Sequence, residues 1–335
     1  MVTMQQVADA ANVSRATVSR VLSNHPSIKP ETRSEVMYWV KKLGYEPNMV
    51  AQSLAGNRTN LIGVVFPDVS NPLYSDLLEA IEEEAFYHGY SIIIGNSGRN
   101  KAKEVNIINS FKSRKVDGII LRPIGDEQDK IYRTLQIPVI SIFKKFASGN
   151  SIMVDSAEGS RMIAEHFLEL GHRMIGYLGP LRGSVGNDKL EGFRRTLKEY
   201  GVELHTVLEC SQQETAENQK AWQIMRDYLG RGDSPVTAWY GHNDIAACDM
   251  IRALKESGRR VPEEVIVAGY NDTILAKKMF PAITTIAHPV RELAVNAVAA
   301  VLQQIQNPAA EPVSVELFPR LAVRESTMPG TLLNQ

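Results

Sequence analysis

"NVSRATVSRVLSN", residues 12–24, is the stretch that decides the fold of the first part of the chain. Val18, Val21 and Leu22 recur at the i, i+3 and i+4 spacing of one helix side, and Ser14 stands where a helix N-cap is expected. The opposite side carries short or cationic residues, namely Arg15, Ala16, Thr17, Ser19 and Arg20. The stretch therefore predicts a short helix with one apolar side and one side suited to an anionic partner.

Two further helices flank this one. Thr3 and Gln6 have the capping-box spacing at the start of an earlier helix. The segment "KPETRSEVMYWVKKLGY", residues 29–45, predicts a later helix that ends at Gly44. Two short helices joined by a tight turn and braced by a third form a helix-turn-helix. A plain bundle or a protein-docking module would have the same helices, but the small, cationic outer side favours the major groove of DNA.

Composition and charge set the broad class of the protein. The 335 residues are 44% hydrophobic and 22% charged, which is typical of a globular protein with two or three folding units. Residues 1–60 hold seven Lys and Arg against four Asp and Glu, a net charge of +3 in a chain whose total is −1. A basic beginning on an acidic remainder suggests that an anionic partner binds at one end.

No feature of the sequence directs the chain to a membrane or out of the cell. The start lacks the basic and apolar regions of a secretory signal, and no apolar run approaches the ~18 residues needed to span a bilayer. Cys210 and Cys248 are far apart and form no C-x-x-C motif, as expected of reduced cysteines. We therefore expect a cytoplasmic protein.

A short segment, "NMVAQSLAG" at residues 48–56, follows Pro47 and can form about two helical turns. A helix this short is unstable alone in water, so we expect it to fold only against DNA and a second copy of the chain. Leu54 is a candidate wedge between base pairs in the minor groove. The alternative is that Leu54 packs on its own domain.

From residue 61 onward, apolar runs of strand length alternate with amphipathic helices. The first series comprises "LIGVVFP", "YSIIIGNS", "VDGIILRP", "IPVISIF" and "SIMVD", and the second includes "MIGYLG", "TVLEC", "TAWYG" and "VIVAGYN". Such runs are typical of parallel strands buried on both faces. They predict two doubly wound α/β lobes with a ligand cleft at the carboxyl ends of the strands.

Motifs of the common enzyme classes are missing from the sequence. It contains no G-x-x-x-x-G-K-[ST], no G-x-S-x-G and no G-x-G-x-x-G after the first strand, and its seven His lack metal-ligand spacing. The "HND" at residues 242–244 could serve acid–base chemistry, but it suits a hydroxyl-rich ligand equally well. We expect no catalysis, no cofactor and no metal.

Several segments together resemble the lactose- and galactose-repressor (LacI/GalR) family of bacterial transcription regulators. They are "TMQQVADAANVSRATVSRVLSN", "KPETRSEVMYWVKKLGYEPN", "VAQSLAGNRTNLIGVV", "HRMIGYLGP", "LEGFRRTL", "HNDIAA", "VPEEVIVAGYND" and "PAITTIAHP". The resemblance spans residues 3–328 and implies an all-α helix-turn-helix head and hinge helix before a two-lobed, periplasmic-binding-protein-like α/β domain. The implied parts are a head at 1–46, a hinge at 47–60, a first lobe at 61–157 plus 288–317, and a second lobe at 158–287 plus 318–335.

The resemblance also implies a homodimer on a pseudo-palindromic double-stranded DNA operator. Arg15 and Ala16 would contact bases, and Arg20 would contact bases or brace the docking. Phosphates would be held by Thr3, Ser14, Thr17, Ser19 and Asn24. In the hinge, Asn48, Ala51 and Leu54 would contact DNA, with Leu54 opening the centre of the site.

For the small-molecule effector, the resemblance implies contacts at Asp68, Asn71, Tyr74, Arg122, Phe143, Lys189, Asn243 and Asn271. The sequence departs from the family at several of them. Asn271 replaces a carboxylate, Phe143 replaces a frequent Asp, Lys189 replaces an Arg, and Arg122 stands where neutral residues are common. Fewer acids and an added Arg favour an anionic effector such as a sugar acid, keto acid or sugar phosphate. In the alternative, Arg122 pairs with Asp68 or another acid and the effector is a neutral sugar.

The implied mechanism is allosteric control. An effector in the cleft would change the arrangement of the lobes and thereby the folding of the paired hinge segments on DNA. No heptad extension follows "RESTMPGTLLNQ", which favours a dimer over a tethered tetramer. A cleft protein whose head docks on another protein, instead of DNA, is the competing functional class.

Overall fold

The computed structural model describes most of the chain, namely residues 2–22, 25–45, 58–124, 131–132, 134–146, 149–181, 184–210, 221–232 and 234–328. The predictions made for Asn24, Asn48, Ala51 and Leu54 lie outside these residues. The chain divides into two compact units, Met1–Thr59 and Asn60–Gln335.

The first unit is a three-helix head. Its helices are α1 (Met4–Ala10), α2 (Arg15–Leu22) and α3 (Pro30–Leu43). The capping box of α1 is confirmed, since Thr3 and Gln6 exchange side-chain and backbone hydrogen bonds. Ser14 begins α2 as predicted, because its Oγ accepts the Thr17 N–H at 3.0 Å.

The core of the head is small and aliphatic. It contains Val7, Ala8, Val18, Val21 and Val36, each fully or almost fully buried. Since α2 supplies Val18 and Val21 to this core, its other side is left to solvent, as the sequence pattern predicted.

Two parallel sheets organise the second unit. The strands of the first are β1 (Leu61–Phe66), β2 (Ser91–Asn96), β3 (Gly118–Leu121), β4 (Val139–Ile142), β5 (Ser151–Val154) and β11 (Ser314–Leu317). The strands of the second are β6 (Ile175–Gly179), β7 (Thr206–Glu209), β8 (Ala238–Gly241) and β9 (Ile266–Ala268). The first sheet has the strand order β11-β5-β4-β3-β1-β2, and the second has the order β7-β6-β8-β9. Their pairings are all parallel, as predicted.

A third, two-stranded sheet pairs β10 (Thr285–Ala287) with β12 (Arg320–Ala322) in antiparallel fashion. Three connections join the first sheet to the other two sheets: β5 to β6 of the second sheet, β10 to β11, and β11 to β12. These connections join the sheets side by side within one unit.

Helices cover both faces of each large sheet. They are α4 (Pro72–Tyr87), α5 (Lys101–Ser113), α6 (Ser156–Glu169), α7 (Ser184–Glu199), α8 (Ala221–Leu229), α9 (Asp244–Glu256), α10 (Ile274–Lys278) and α11 (Val290–Gln306). On the first sheet, α4 and α11 pack on one face and α5 on the other. On the second sheet, α6 and α7 cover one face and α8 and α9 the other.

Close helix–sheet packing is visible at Gly63 in β1. A Cβ added there would lie 2.3 Å from Cδ2 of Phe111 in α5, so only glycine fits beneath that ring. The packing fixes β1 in the first sheet and therefore the position of the residues that follow it. In the described part of the chain, no helix has the length and apolarity required to cross a bilayer.

Candidate functional site

The outer side of α2 is a polar surface. Arg15, Ala16, Ser19 and Arg20 are exposed, and Thr17 is half-buried. The hydroxyls of Thr3 and Ser14 cap α1 and α2, so both residues lie at helix N-termini, where backbone N–H groups favour anions. This surface could accept nucleic acid phosphates at two helix ends and base edges between them.

A cleft opens in the second unit. All eight residues that the sequence assigned to effector contact line it, namely Asp68, Asn71, Tyr74, Arg122, Phe143, Lys189, Asn243 and Asn271. Five further polar residues, which were not predicted from the sequence, also line it, namely Ser70, Arg99, Ser156, His242 and His288. The cleft is therefore more polar and more cationic than predicted.

Strand ends bring these residues together. Arg122 directly follows β3, Phe143 directly follows β4, and Asp68 comes two residues after β1. In the second sheet, Asn243 follows β8 and Asn271 follows β9. Because the strands of each sheet are parallel, their carboxyl ends meet at one edge, and the cleft lies along these two edges.

Two arginines flank the end of β1 in the first sheet. The backbone N–H of Arg99 donates to Pro67 O at 2.9 Å, and that of Arg122 donates to Val65 O at 3.0 Å. Since β2 and β3 lie on either side of β1, the two guanidinium groups approach the cleft from both sides of the same strand.

Among the described residues that line the cleft, Asp68 is the one that carries a carboxylate. Its Oδ1 accepts hydrogen bonds from Ser70 N at 3.0 Å and from Ser70 Oγ at 2.6 Å. Its Oδ2 lies 3.9 Å from Nη2 of Arg99. The salt bridge of Asp68 is thus with Arg99, and Arg122 instead donates to the carbonyl of Pro123.

Lys189 in α7 brings a buried ammonium group to the opposite side of the cleft. Its Nζ donates to His242 O at 3.0 Å and lies 3.5 Å from the centroid of the Tyr270 ring. Burial lowers the pKa of Lys189 to about 7, with Asp244 opposing this shift and Arg122 adding to it. The side chain of Lys189 therefore changes between its charged and neutral forms near neutral pH.

Three asparagines line the cleft with their carbonyl oxygens already engaged. Oδ1 of Asn71 accepts from Leu73 N at 3.1 Å, and Oδ1 of Asn243 accepts from Ala246 N at 2.8 Å. Oδ1 of Asn271 pairs with His288 Nε2 at 3.2 Å. The side-chain amide nitrogens are the groups left to meet a ligand.

Histidine and aromatic side chains complete the walls. Burial lowers the pKa values of His242 and His288 to about 3, so both imidazoles are neutral at physiological pH. The ring of Phe143 contacts that of His288 with centroids 5.1 Å apart, and the ring of Tyr74 stacks on Phe66 at 5.0 Å. No group of three or more His, Cys, Asp or Glu among the described residues could hold a metal ion.

Asp244 supports the second-sheet side of the cleft from behind. It is 1% exposed, its Oδ1 accepts from Thr285 Oγ1 at 2.6 Å, and its Oδ2 accepts from Thr273 N and Oγ1, both at 2.8 Å. Burial raises its pKa to about 6. These bonds tie the start of α9 to the loop after β9, where Asn271 lies.

Asp244→Asn should lower the free energy of unfolding by about 1–3 kcal/mol, because its single amide oxygen cannot accept from both the Thr273 N–H and the Thr285 hydroxyl, as the two carboxylate oxygens do. Urea unfolding at pH 7 measures the effect. The matched control is Asp227→Asn on the exposed part of α8, which should change stability by less than about 0.5 kcal/mol. Equal stability of the two variants would contradict a supporting role for Asp244.

Comparison with known proteins covers both units. A model of bacterial regulatory proteins of the lacI family matches residues 3–48, and a model of the periplasmic binding protein-like domain matches residues 164–327. The HTH-type transcriptional regulator DegA of Bacillus subtilis (strain 168) is 33% identical, with 98% of each chain covered. The HTH-type transcriptional repressor PurR of Escherichia coli O1:K1 / APEC is 31% identical, also with 98% of each chain covered.

A solved structure is similar along the same length. The crystal structure of the lac repressor dimer bound to operator and the anti-inducer ONPF has a TM-score of 0.85 and 29% sequence identity, covering 97% of this chain and 99% of that one. The head and the cleft-bearing unit therefore occur together, in the same order, in that protein.

Proposed function

Because this chain belongs to the lacI family of bacterial regulatory proteins, as its motifs predict, we propose that it is a transcriptional repressor that binds operator DNA as a homodimer. The relatives are transcriptional regulators and not enzymes, so no catalytic step is proposed. The observation that carries the proposal is the exposed side of α2, with its arginines and small polar residues beside two hydroxyl-capped helix starts. In this proposal the protein acts in the cytoplasm, where it binds operator DNA.

In this proposal, α2 enters the major groove. Arg15 and Ala16 contact base edges, Arg20 contacts bases or braces the docking, and Thr3 and Ser14 hold phosphates. Two heads related by a two-fold axis contact two half-sites in inverted orientation. The base contacts give sequence preference, whereas the phosphate contacts fix the position of the head on the duplex.

Selection from random duplexes, each long enough for two half-sites, tests operator binding by the full chain. We expect enrichment of an inverted repeat whose half-site spacing matches a two-fold dimer. Ala16→Glu is the matched control: the residue is exposed, so the head should fold, but the added carboxylate should prevent enrichment. A wild-type chain that stays monomeric and enriches no sequence would instead support the protein-docking alternative.

We further infer that the cleft binds a small carbohydrate-type effector that carries a negative charge. Arg99, Arg122 and Lys189 line the cleft against the carboxylate of Asp68, which Ser70 and Arg99 already engage. An anion would be attracted by this excess of positive charge, and a guanidinium binds carboxylate or phosphate through two parallel hydrogen bonds. A sugar acid or a sugar phosphate fits this description.

The neutral-sugar alternative requires an acid that neutralises Arg122. The carboxylate of Asp68 has its salt bridge with Arg99. Glu104 is fully buried. Burial raises the pKa of Glu104, whereas the charge of Arg122 and the hydrogen bonds to the Glu104 carboxyl group lower it, and the effect of burial is the larger. Both observations favour an Arg122 that is available to an anionic effector.

We propose that the effector controls DNA binding through the arrangement of the two sheets. A ligand in contact with strand ends of both sheets stabilises one arrangement of the lobes over another. The changed spacing of the first lobes in the dimer would then alter operator affinity. Effector and operator thus bias the same two-state equilibrium, which makes their effects on each other reciprocal.

A further inference from the structure

The side chains that line the cleft present an excess of hydrogen-bond donors on both of its sides. We propose that the effector carries two acidic groups, one bound by Arg99 and Arg122 at the first sheet and the other bound by Lys189, Asn243 and Asn271 at the second. This inference rests on the proposed effector cleft and narrows the chemical class of its ligand. We call the first group the arginine pair and the second group the amide–lysine site.

The asparagines are donors because of their internal bonds. Asn243 and Asn271 each use the carbonyl oxygen within the protein, toward Ala246 N and His288 Nε2 respectively. The two N–H bonds of each amide are then the groups available to a ligand. A carboxylate or phosphate oxygen accepts such bonds, whereas an aspartate at position 271 would repel it.

Lys189 lies beside both asparagines. Its Nζ contacts His242 O, one residue before Asn243, and the ring of Tyr270, one residue before Asn271. The Asp244 N–H donates to Tyr270 O at 3.0 Å, which joins the two strand ends. Lys189, Asn243 and Asn271 therefore form one cluster at the edge of the second sheet.

The ammonium of Lys189 has no carboxylate within salt-bridge distance in the described part of the chain, and the charge of Asp244 offsets only part of the cost of its burial. It is 7% exposed, it takes part in no salt bridge there, and its hydrogen bond goes to a neutral carbonyl oxygen. A buried cation is costly unless an anion compensates it. A ligand oxyanion at this place would supply that compensation.

The balance of charge agrees with a second acidic group. Three cationic side chains, Arg99, Arg122 and Lys189, line the cleft together with one carboxylate, Asp68. When Lys189 is protonated, the excess is two positive charges. Because one excess charge lies at each sheet, a ligand with acidic groups at its two ends matches the cleft. Aldaric acids and phosphorylated aldonic acids are compounds of this type.

Calorimetry with the full chain tests the inference. The probes are D-glucose, D-gluconate, D-glucarate and 6-phospho-D-gluconate, with the galacto- and manno-configured sets measured in parallel. We expect at least one diacid or phosphorylated acid to bind about tenfold or more tightly than the monoacid of the same configuration. The difference between the carboxylate and phosphate arms identifies the second group. Monoacid affinity equal to that of both doubly charged probes would overturn the inference.

Variants separate the two ends of the ligand. Lys189→Gln should abolish the advantage of the doubly charged probe by weakening it far more than the monoacid, whereas Arg122→Gln should weaken both. Lys198→Gln, on the same helix α7 but outside the cleft lining, is the matched control and should change neither. If Lys189→Gln weakened monoacid and diacid equally, the amide–lysine site would not bind a second group. Failure of every probe, charged or neutral, would instead count against the proposed effector cleft itself.

A measurement on the wild-type chain keeps the inference testable if Lys189→Gln does not fold. The groups that face Lys189 are Asp244, Arg122, His242, His288 and Tyr270. Between pH 7 and pH 8.5 both histidines stay neutral and Asp244 stays ionised. Since the pKa of Lys189 is about 7, glucarate should bind with proton uptake and lose about tenfold in affinity over this range, whereas gluconate should not. Identical pH dependence of the two ligands would contradict the inference.

Discussion

Arg15→Ala is expected to reduce the affinity for the selected operator by about 30- to 10⁴-fold and to remove the preference at one base pair of each half-site. A good arginine–base contact contributes about 1–3 kcal/mol of discrimination, and a symmetric dimer makes it twice. Arg15 is exposed at the first position of α2, where its loss leaves the Val18 and Val21 core intact. Binding assays against every single-base variant of the operator measure both effects.

The matched control is Lys41→Ala. It removes one exposed positive charge from the same head, but on α3 and away from the outer side of α2. This variant should weaken all duplexes slightly and equally, with a reduced salt dependence at most. If Arg15→Ala also weakened all duplexes equally, Arg15 would contact phosphate and not a base.

Arg122→Gln is expected to weaken binding of an anionic effector by about 30-fold or more. Truncating one partner of a buried, hydrogen-bonded charge pair costs at least about 2 kcal/mol, much of it because the other charge is left without its partner. Titration calorimetry with sugar acids, sugar phosphates and the parent neutral sugars measures the change. Operator affinity without effector should stay close to that of the wild type.

Arg194→Gln is the control for this result, since Arg194 lies on the exposed side of α7 and pairs with Glu191. Its effector affinity should equal that of the wild type. Binding of a neutral sugar alone, with the same affinity in Arg122→Gln, would refute the anionic effector and support the alternative retained from the sequence.

Regular patterns made much of the fold predictable. The helical spacing of Val18 and Val21 and the capping pair Thr3 and Gln6 depend on residues within one turn of each other, so a local reading recovers them. The parallel strands were predictable for a related reason, because strands buried on both faces are apolar throughout. The family resemblance then implied that residues after such strands, Arg122 for example, contact the effector.

Three strands were not predicted from the sequence. Strands β10, β11 and β12 begin with Thr285, Ser314 and Arg320, and β11 alternates polar and apolar residues, so none of the three is a continuous apolar run. His288 follows β10 and was missed with it. Arg99 and His242 follow strands that were predicted, so they could have been found by considering the residues after each predicted strand. The low pKa of Lys189 could not be predicted from its neighbours in the sequence, because it comes from burial by segments distant in the sequence.

The three connections between the first sheet and the other two sheets restrict the ways in which the second unit can deform. Translation of one lobe away from the other would have to stretch three backbone connections at once, whereas rotation about a line near them needs only small changes in a few dihedral angles. The free energy of ligand binding would therefore act mainly on one easily changed angle, the angle between the two lobes. In the proposed function, a small metabolite in the cleft would produce a defined change of angle between the lobes.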